Sequence, residues 1–282
     1  MKQRIVYIAG LGHSGSTILD LAMGSHPDAV GLGEVYTLLR RKQRQNHMGS
    51  LCSCGKKATA CPFWSKLDKT LEDSDDLDGL YAQLITQFQD HFGPDKVLID
   101  SSKNSYAYLK TLNGIHSLKV IFLTRDIRSW IYSRHLATRK PLLALALRWY
   151  AENRKLHFQL KRMGIACMKV GYEELSFYPE RVLPLICEFT GIQFKETMLR
   201  PTGSQSHIIS GNIARTDPMK KKGFIYDARW LVSRRIFLLS PLLACFMKMN
   251  RRNVFSNALG NGIKDFYLFG NERRKKFTDT YN

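Results

Sequence analysis

The stretch IVYIAGLGHSGSTILD, residues 5–20, decides the fold of this chain. Its first five residues are apolar and partly β-branched, which predicts a buried strand. Glycines then interrupt the pattern and permit a tight turn: Gly10, Gly12 and Gly15. From Ser16 onward the apolar residues recur at helical spacing. The stretch therefore predicts a strand, a glycine-rich turn and the first turn of a helix.

A turn of this kind presents free backbone N–H groups and the positive end of a helix dipole to an anion. Three hydroxyl side chains can add hydrogen bonds: Ser14, Ser16 and Thr17. The glycine spacing approaches that of a P-loop, but Ser16 stands where the lysine that contacts a nucleoside triphosphate belongs. Phosphate is the expected ligand, although ATP and GTP fit poorly. A tight turn with no ligand is the alternative.

Two later strands are predicted to deliver polar residues to the same place. The apolar run that ends at Asp100 is followed by Lys103, and the run at 119–124 is followed by Arg125, with Ser133 on the next helix. Ligands of open α/β sheets bind at the carboxyl ends of the strands, so these side chains are expected close to the glycine turn. The pattern indicates an α/β protein with a central, mainly parallel sheet flanked by helices.

These segments together resemble the sulfotransferases that use 3′-phosphoadenosine 5′-phosphosulfate (PAPS). The phosphosulfate loop of that family resembles residues 13–17, with His13 in place of the usual arginine or lysine. Its 3′-phosphate segment is similar to the arginine-then-serine spacing of Arg125 and Ser133. Two further segments also match in order, YEEL at 172–175 and GNIAR at 211–215. The resemblance spans the chain from about residue 5 to about residue 230.

The resemblance implies a P-loop-like three-layer fold and a role for each matching residue. The 5′-phosphate would be held by the loop residues Gly12, His13, Ser14, Gly15, Ser16 and Thr17. Arg125 and Ser133 would hold the 3′-phosphate, and Arg215 could reach it from a late loop unless it is solvated. Lys103 would stabilise the leaving phosphate or the sulfuryl oxygens, unless it is only an exposed lysine after a strand.

The segment HPDAVGLGE, which ends at Glu34, resembles the branch that contains tyrosylprotein sulfotransferases and many bacterial members. In that branch a glutamate just past the phosphosulfate helix is the base, so Glu34 is expected to take the acceptor proton. His13 is the second candidate, and when protonated it could supply the family's usual cation. Structural roles stay open: Glu34 as a helix N-terminal acid, His13 as a buried histidine, and Arg125 as the partner of Asp126 or another acid.

The expected function is transfer of a sulfuryl group from PAPS, without a required metal, to a hydroxyl or amine of a carbohydrate, lipid or other small molecule. A P-loop-like nucleotide kinase or NTPase is the alternative, and a non-enzymatic polyanion-binding module is the third. The formal net charge of +19 suits an anionic cofactor. No nucleic-acid motif is present, so a nucleic-acid partner is not expected. The oligomeric state is open.

The composition, with 44% hydrophobic residues, fits one globular domain over residues 1–282. No secretory signal and no apolar run of membrane-span length is seen, so a cytoplasmic enzyme is expected. Residues 228–255 join an apolar stripe to clusters of arginine and lysine. This stripe either packs in the core or lies on the surface of an anionic membrane. A basic, irregular tail is expected at about 250–282.

A cysteine-rich insertion is expected at about residues 46–66. Cys52, Cys54 and Cys61, with His47 nearby, hint at zinc, but the spacing matches no standard structural pattern and the fourth ligand is undefined. No metal site is therefore predicted, and a reduced or conditionally oxidised surface loop is expected instead. Helices are expected at Glu34 to about Gln45, at 68–92, at Leu142–Met163, at Tyr178 to Thr190 and at 228–249.

Overall fold

The computed structural model describes residues 2–103, 106–212, 215–218, 222–255 and 268–269. One six-stranded sheet, with strand order β2-β3-β1-β4-β5-β6, forms the centre of this part of the chain. Its strands are β1 (Arg4–Gly10), β2 (Ala29–Gly33), β3 (Val97–Asp100), β4 (Ser117–Thr124), β5 (Cys167–Gly171) and β6 (Leu268–Phe269). The first five are parallel, and β6 pairs with β5 in the antiparallel direction. The predicted mainly parallel α/β fold is confirmed.

Helices cover both faces of the sheet and link its strands. In chain order they are α1 (Ser16–Met23), α2 (Val35–Leu39), α3 (Arg41–Met48), α4 (Trp64–Thr70), α5 (Leu77–Phe92), α6 (Tyr106–Ile115), α7 (Ile127–Thr138), α8 (Leu142–Met163), α9 (Tyr172–Phe177), α10 (Pro179–Thr190), α11 (Arg234–Leu239) and α12 (Met247–Val254). None of the helices in the described ranges is both long enough and apolar enough to span a membrane.

The central strand β1 sends alternate side chains into two separate cores. Ile5 and Tyr7 belong to one apolar cluster, and Val6 and Ile8 belong to a second cluster on the opposite face. Both faces of β1 are buried because helices cover the sheet on each side, as is usual for parallel sheets. Gly10 ends the strand at φ 149°, where a Cβ atom would lie 2.3 Å from the carbonyl oxygen of Leu123. Burial on both faces explains the apolar sequence of β1, and the close approach to Leu123 explains the glycine at its end.

The single helix expected from Glu34 to about Gln45 is wrong, because the chain forms two helices with a break at Arg40. Arg40 is extended, with φ −79° and ψ 121°. The buried guanidinium of Arg44 donates to the carbonyl oxygens of Leu38 and Leu39 at 3.1 and 3.0 Å. These contacts satisfy the carbonyl groups at the end of α2, which would otherwise continue the helix ladder.

The helix expected at 68–92 is also wrong, since α4 and α5 are separated by the acidic segment 71–76. The Asp76 carboxylate accepts a hydrogen bond from the backbone N–H of Asp78 and begins α5 as an N-cap. In contrast, α8 has the expected bounds. The helix expected from Tyr178 begins one residue later, at Pro179.

The prediction of one C-terminal helix at 228–249 is wrong. The segment instead contains α11, a 3₁₀ segment at Ser240–Phe246, and α12, which continues into the expected tail as far as Val254. Pro241 stands at the start of the 3₁₀ segment, and proline removes a helical hydrogen-bond donor there. The rest of the expected tail lies outside the described residues, apart from β6.

The expected cysteine-rich surface loop is only partly exposed. Cys52 and Cys61 are fully buried, in the same apolar cluster as Phe63 and Trp64. Cys54 is exposed, and all six cysteines of the chain are free thiols. The apolar CPFW segment anchors the loop because its aromatic side chains are buried, so the loop is an integrated part of the fold.

Helix α12 is fastened to the sheet at Gly171, the last residue of β5. A Cβ atom on Gly171 would lie 1.8 Å from the carbonyl oxygen of Val254. On the same helix, Asn250 donates to the Asp126 carboxylate at 2.9 Å and accepts from the backbone N–H of Ile127 at 2.8 Å. The close approach therefore requires a residue without a side chain at position 171.

Gly171→Ala is expected to lower the free energy of unfolding by about 1–3 kcal/mol, because the added methyl group forces α12 away from β5. Gly114→Ala is the matched control, since Gly114 lies in α6 and an added Cβ atom there would have no neighbour within 4 Å. That control should be neutral or slightly stabilising. Urea unfolding curves measure both, and equal stability of the two variants would contradict the contact.

Candidate functional site

A cavity of about 920 Å³ lies at the carboxyl edge of the parallel sheet. Each parallel strand supplies a lining residue shortly after it ends: Gly12 after β1, Glu34 after β2, Lys103 after β3, Arg125 after β4 and Tyr172 after β5. Ligands of open α/β sheets bind at this edge. The cavity therefore stands where the sequence predicted a binding site.

Eight further described residues of the predicted loops and of the late segment also line the cavity. They are His13, Gly15, Ser16, Thr17, Ser133, Gly211, Asn212 and Asp227. Ser14 is not one of them, because its side chain is turned inward and buried. Nine of the eleven sequence-predicted site residues thus meet at one cavity, and Ser14 and Arg215 lie beside it.

The loop between β1 and α1 is held in place by side chains outside it that donate hydrogen bonds to its carbonyl oxygens. The indole N–H of Trp130 donates to the Gly12 carbonyl at 2.8 Å, and Arg125 donates to the His13 carbonyl at 3.0 Å. With these carbonyls fixed outward, N–H groups of the loop and of the first turn of α1 can face an anion, although the N–H of Ser14 donates to the carbonyl of Leu11 at 3.2 Å. The loop can therefore bind phosphate through its backbone.

Gly15 adopts the left-handed conformation that begins α1. Its φ is 93°, and a Cβ atom there would lie 2.5 Å from the ring of Tyr172. No other residue type fits without displacing that ring, which in turn stacks on Arg125 with 4.6 Å between the guanidinium carbon and the ring centre. The glycine of the predicted loop is thus required by packing as well as by backbone conformation.

Glu34 and Lys103 form an ion pair in the wall of the cavity. The Lys103 backbone is left-handed, with φ 74°, and its N–H donates to the carbonyl oxygen of Ile8 at 3.3 Å. A Cβ atom on Gly211 would lie 3.4 Å from both the Glu34 carboxylate and the Thr17 hydroxyl. The carboxylate, the ammonium group and the end of the phosphate loop are therefore adjacent.

Asp100 organises the turn that carries Lys103. Its buried carboxylate accepts hydrogen bonds from the backbone N–H of Ser102 at 2.9 Å and from the Tyr108 hydroxyl at 2.7 Å. The Ser102 hydroxyl in turn accepts from the backbone N–H of Tyr36 at 2.8 Å, next to Glu34. Burial raises the pKa of Asp100 to about 7. Asp100 positions both members of the ion pair and does not line the cavity itself.

Arg125 has a partner on each nitrogen of its guanidinium group. It donates to the Ser129 hydroxyl at 2.7 Å, to the His13 carbonyl at 3.0 Å and to the Asp227 carboxylate at 3.0 Å. The side chain is almost fully buried, yet it reaches the cavity. Asp126, the acid named as an alternative partner, instead binds Arg128.

No individual residue of the segment 223–229 was predicted as a site residue, yet its seven consecutive residues line the cavity. Within it Asp227 binds Arg125 and Arg229, and hydrogen bonds from Arg229 and then Arg125 hold the pKa of Asp227 well below its usual range. The Tyr172 hydroxyl fixes the segment by accepting from the backbone N–H of Asp227 at 3.1 Å. The segment follows a run of lysines, a charge pattern that could have indicated a site.

His13 is left-handed, with φ 73°, and its Nδ1 lies 3.1 Å from the hydroxyl of Ser133. Burial and, to a lesser extent, the charges of Arg134, Lys103 and Arg125 together lower the pKa of His13 to about 4. His13 is therefore neutral at pH 7 and does not replace the family's cation. Because the folded protein disfavours protonated His13, its contribution to the free energy of unfolding is present above about pH 6.5. This contribution is lost as the pH falls toward 4.

Arg215 does not reach the cavity in the described structure. Its guanidinium donates to the carbonyl oxygen of Gly211 at 2.9 Å, within its own loop. Ile213 and Ala214 of the same motif lie outside the described residues. Gly211 and Asn212 are the members of this motif that line the cavity.

The sheet order and the glycine loop define a P-loop-like α/β protein whose loop carries serine in place of the triphosphate-binding lysine. The family comparison is more specific, because a profile of the sulfotransferase family matches residues 6–196. This chain belongs to the sulfotransferase family and is an enzyme of that class. The kinase or NTPase alternative is therefore not supported.

Two curated relatives carry a tyrosine-directed name. A protein of Caenorhabditis briggsae, described as a candidate protein-tyrosine sulfotransferase, is 24% identical over 207 residues, which are 70% of this chain and 69% of that protein. Protein-tyrosine sulfotransferase 2 of Gallus gallus is 24% identical over 208 residues, 69% of this chain. The chain matches about half of the chicken protein's length, 53%.

Two solved structures share the fold. The sulfotransferase domain from the curacin biosynthetic pathway is 19% identical with a TM-score of 0.56, and the match covers 86% of this chain and 98% of that domain. The sulfotransferase domain from the Synechococcus PCC 7002 olefin synthase is 19% identical with a TM-score of 0.50, covering 86% and 96%. At this identity the likeness concerns the fold alone.

The pKa of His13 is expected to rise when 3′,5′-bisphosphoadenosine binds, because the phosphates offset the nearby cationic charges. Imidazole NMR titrations, assigned with His13→Asn, should show a midpoint near 4 that moves up by about one unit or more. Adenosine, which lacks phosphate, should leave the midpoint unchanged. An unchanged midpoint with the bisphosphate would place His13 away from the bound phosphates.

Proposed function

We propose that this protein transfers a sulfuryl group from PAPS to a hydroxyl or amine of a carbohydrate, lipid or other small molecule. We further propose that residues 1–282 act as one sulfotransferase domain. One observation carries the proposal: the Glu34–Lys103 ion pair lines the same cavity as Thr17, at the end of the glycine loop, and a Cβ atom on Gly211 would lie 3.4 Å from both Glu34 and Thr17. An acid, a cation and an anion cradle are thus gathered in one cavity.

The described residues suit a donor that bears two phosphate groups. The loop N–H groups with Ser16 and Thr17 would hold the 5′-phosphate. Arg125 would bind the 3′-phosphate through a charge-assisted contact, with Ser133 adding a hydrogen bond. The ring of Tyr172 holds the Arg125 guanidinium in place. The cavity of about 920 Å³ falls within the range of sites for nucleotide-sized ligands.

When bound, PAPS would supply the activated sulfuryl group. Glu34 accepts the proton of the acceptor hydroxyl at a carboxylate oxygen. The Lys103 ammonium neutralises negative charge on the oxygens of the anion in the loop. Their ion pair orients the Glu34 carboxylate before the acceptor arrives. His13, being neutral, can exchange a proton with Ser133 but is second to Glu34 as the base.

We propose that no metal takes part in the transfer step. A sulfuryl group carries less negative charge than the terminal phosphate of a triphosphate, so its oxygens demand less neutralisation. Lys103 and the loop N–H groups supply positive charge at that position. The relatives named for protein tyrosine make a tyrosyl hydroxyl one acceptor to test, alongside glycan and lipid hydroxyls.

Arg125→Lys is expected to weaken binding of 3′,5′-bisphosphoadenosine by about 2–4 kcal/mol, because the lysine cannot replace the guanidinium fork in a buried charge pair. Affinity for adenosine 5′-phosphate should fall less, because that ligand loses only the support that Arg125 gives to the loop through the His13 carbonyl. Calorimetric titration measures both, and Arg154→Ala, on the exposed face of α8, is the control. Equal weakening for the two nucleotides would refute the assignment of Arg125 to the 3′-phosphate.

Glu34→Gln is expected to lower kcat by about 10²–10⁴-fold, the usual effect of removing a general base. Affinity for 3′,5′-bisphosphoadenosine should be little changed, since the amide keeps the shape of the side chain. Release of the bisphosphate from PAPS, measured across a panel of tyrosyl, glycan and lipid acceptors, provides the rate. His13→Asn is the matched variant, and a larger loss with it than with Glu34→Gln would make His13 the base.

We also propose that the surface of α11 contacts an anionic membrane. The structure divides this segment: Ile236, Leu243 and Phe246 are buried in the core, whereas other apolar side chains face solvent. The exposed ones include Val232 at 89% and Phe237 at 76% exposure. Exposed basic residues flank them, Arg234 and Arg235 among others. Apolar residues framed by arginines favour insertion at the headgroup level.

The protein should pellet with vesicles that contain anionic lipid at low salt, because the arginines are attracted to the negative surface. Arg234→Glu combined with Arg235→Glu should abolish pelleting without changing the melting temperature. Vesicles of neutral lipid alone are the control for the apolar contribution. No pelleting at any lipid composition would overturn the membrane contact and favour an acceptor free in solution.

The six free thiols suit a reducing compartment, which supports the cytoplasm as the proposed location. A cytoplasmic enzyme could reach the inner surface of a membrane through α11 without crossing it.

A further inference from the structure

Four metal-ligating side chains meet outside the cavity. Cys52, Cys54 and Cys61 come from the cysteine-rich insertion, and His207 comes from a segment almost 150 residues later. One ligand atom from each lies within 4.8 Å of the others. The Sγ atom of Cys61 lies 3.1 Å from Nδ1 of His207. No feature of the sulfuryl-transfer site requires this convergence.

The donor set and its spacing match a structural zinc site. Zinc in such sites has four tetrahedral ligands drawn from cysteine and histidine, with Zn–S bonds of about 2.3 Å and Zn–N bonds of about 2.0–2.1 Å. Ligand atoms on that tetrahedron lie roughly 3.4–3.8 Å apart, a separation that follows from the bond lengths. The upper limit of 4.8 Å on the observed separations exceeds that range by about 1 Å. Three thiolates favour zinc over the hard cations Mg²⁺ and Ca²⁺.

The backbone around the first two cysteines forms a tight knuckle. The Cys52 N–H donates to the carbonyl of Lys56 at 2.8 Å, and the Gly55 N–H donates to the carbonyl of Cys52 at 2.9 Å. Gly55 has a φ of 88°, which a residue with a side chain adopts at a cost. This turn brings Cys52 and Cys54 to the same side, as two ligands of one ion require.

The insertion is also fastened directly to the segment that carries His207. The Ser53 N–H donates to the carbonyl of Ile208 at 3.0 Å, and the Ser53 hydroxyl accepts from the Ile208 N–H at 2.8 Å. The indole of Trp64 donates to the carbonyl of His207. The His207 N–H donates to the carbonyl of Gly31 in β2 at 2.6 Å. The fold therefore fixes both sides of the cluster before any ion binds.

A disulfide between the buried thiols Cys52 and Cys61 is the main competing arrangement. It would use two of the four side chains and leave a third thiol and an imidazole beside it with no role. All of the cysteines are free thiols in the structure. The His207 ring packs near Phe63 and Phe92, which orients it toward Cys61. A metal site gives all four side chains a role, whereas a disulfide does not.

We propose that Cys52, Cys54, Cys61 and His207 bind one structural zinc ion. As the Zn–S bonds form, the three thiols release their protons to solvent and the neutral imidazole donates through a ring nitrogen. Four protein ligands leave no open position, so the ion has no Lewis-acid role. Of the described residues that line the cavity, none belongs to this set.

The ion would tie the cysteine-rich insertion to the segment that reaches the catalytic cavity. Ile208 follows His207 directly and packs on Gly33, where a Cβ atom would lie 2.8 Å from it. Gly211, three residues further, lies beside Glu34 and Thr17. Zinc would therefore hold one wall of the cavity in place from outside. The sequence analysis noted His47 near the cysteines but left the fourth ligand undefined and predicted no metal site, whereas the structure brings His207 to the cysteines.

The experiment is a zinc measurement on the full-length protein, purified without chelator and without a histidine tag. Elemental analysis should find about one zinc per chain. Removal of a residue that only hydrogen-bonds to a metal ligand lowers metal affinity by about 10–100-fold. Removal of a ligand itself should cost more, so Cys61→Ser and His207→Asn should each weaken zinc binding by at least about 100-fold. His47→Asn and Cys245→Ser are the matched controls, and both should retain full stoichiometry.

Misfolded variants would lose zinc for an unrelated reason, so a second measurement uses the wild-type chain. Metal-free protein, prepared with chelator and reductant, is titrated with Co²⁺, which should give thiolate charge-transfer and tetrahedral d–d absorption bands at one equivalent. Zinc should then displace the cobalt and raise the melting temperature. Absence of these bands, an intact Cys52–Cys61 disulfide by mass spectrometry, or zinc lost from His47→Asn but kept by His207→Asn would each overturn the site.

Discussion

The outward hydrogen bonding of the loop carbonyls is the interaction on which the site depends. A glycine loop binds an anion only when its N–H groups point inward together, and the carbonyls must then be satisfied elsewhere. Here Trp130 and Arg125 provide these bonds to Gly12 and His13. Arg125 directly follows β4, and Trp130 lies in the first turn of α7, the helix that comes next. The position of β4 beside β1 therefore sets the shape of the loop.

Arg125 couples this loop to the rest of the cavity. The same guanidinium holds the His13 carbonyl, stacks on Tyr172 and pairs with Asp227. Because a buried arginine without partners is costly, these contacts hold it in place. The Asp227 carboxylate pairs with Arg125, as the 3′-phosphate of the proposed donor would. The phosphate would therefore either displace this carboxylate from Arg125 or bind Arg125 beside it. The segment 223–229 is thus linked to nucleotide binding through one residue.

The sequence could predict local features and those that depend on strand periodicity. The strand–glycine–helix unit, the edge position of Lys103 and Arg125, and the bounds of α8 are all consequences of short-range patterns. The break at Arg40 was not predictable, because it depends on the buried contacts of Arg44 with Leu38 and Leu39. Contacts between residues that lie far apart in the sequence were not predictable for the same reason.

Asp227 is 102 residues from Arg125, and no local pattern pairs the two. His207 is 146 residues from Cys61, so sequence spacing could not show that it lies beside the cysteines. The lowered pKa of His13 likewise comes from burial and from charges brought together by the fold.

The central claim is that the cavity binds a bisphosphorylated adenosine nucleotide. Calorimetric titration of the wild-type protein with 3′,5′-bisphosphoadenosine and with ATP, each with and without magnesium, tests it most directly. The account predicts tight, magnesium-independent binding of the bisphosphate and weak binding of ATP, and tighter, magnesium-dependent binding of ATP would contradict it.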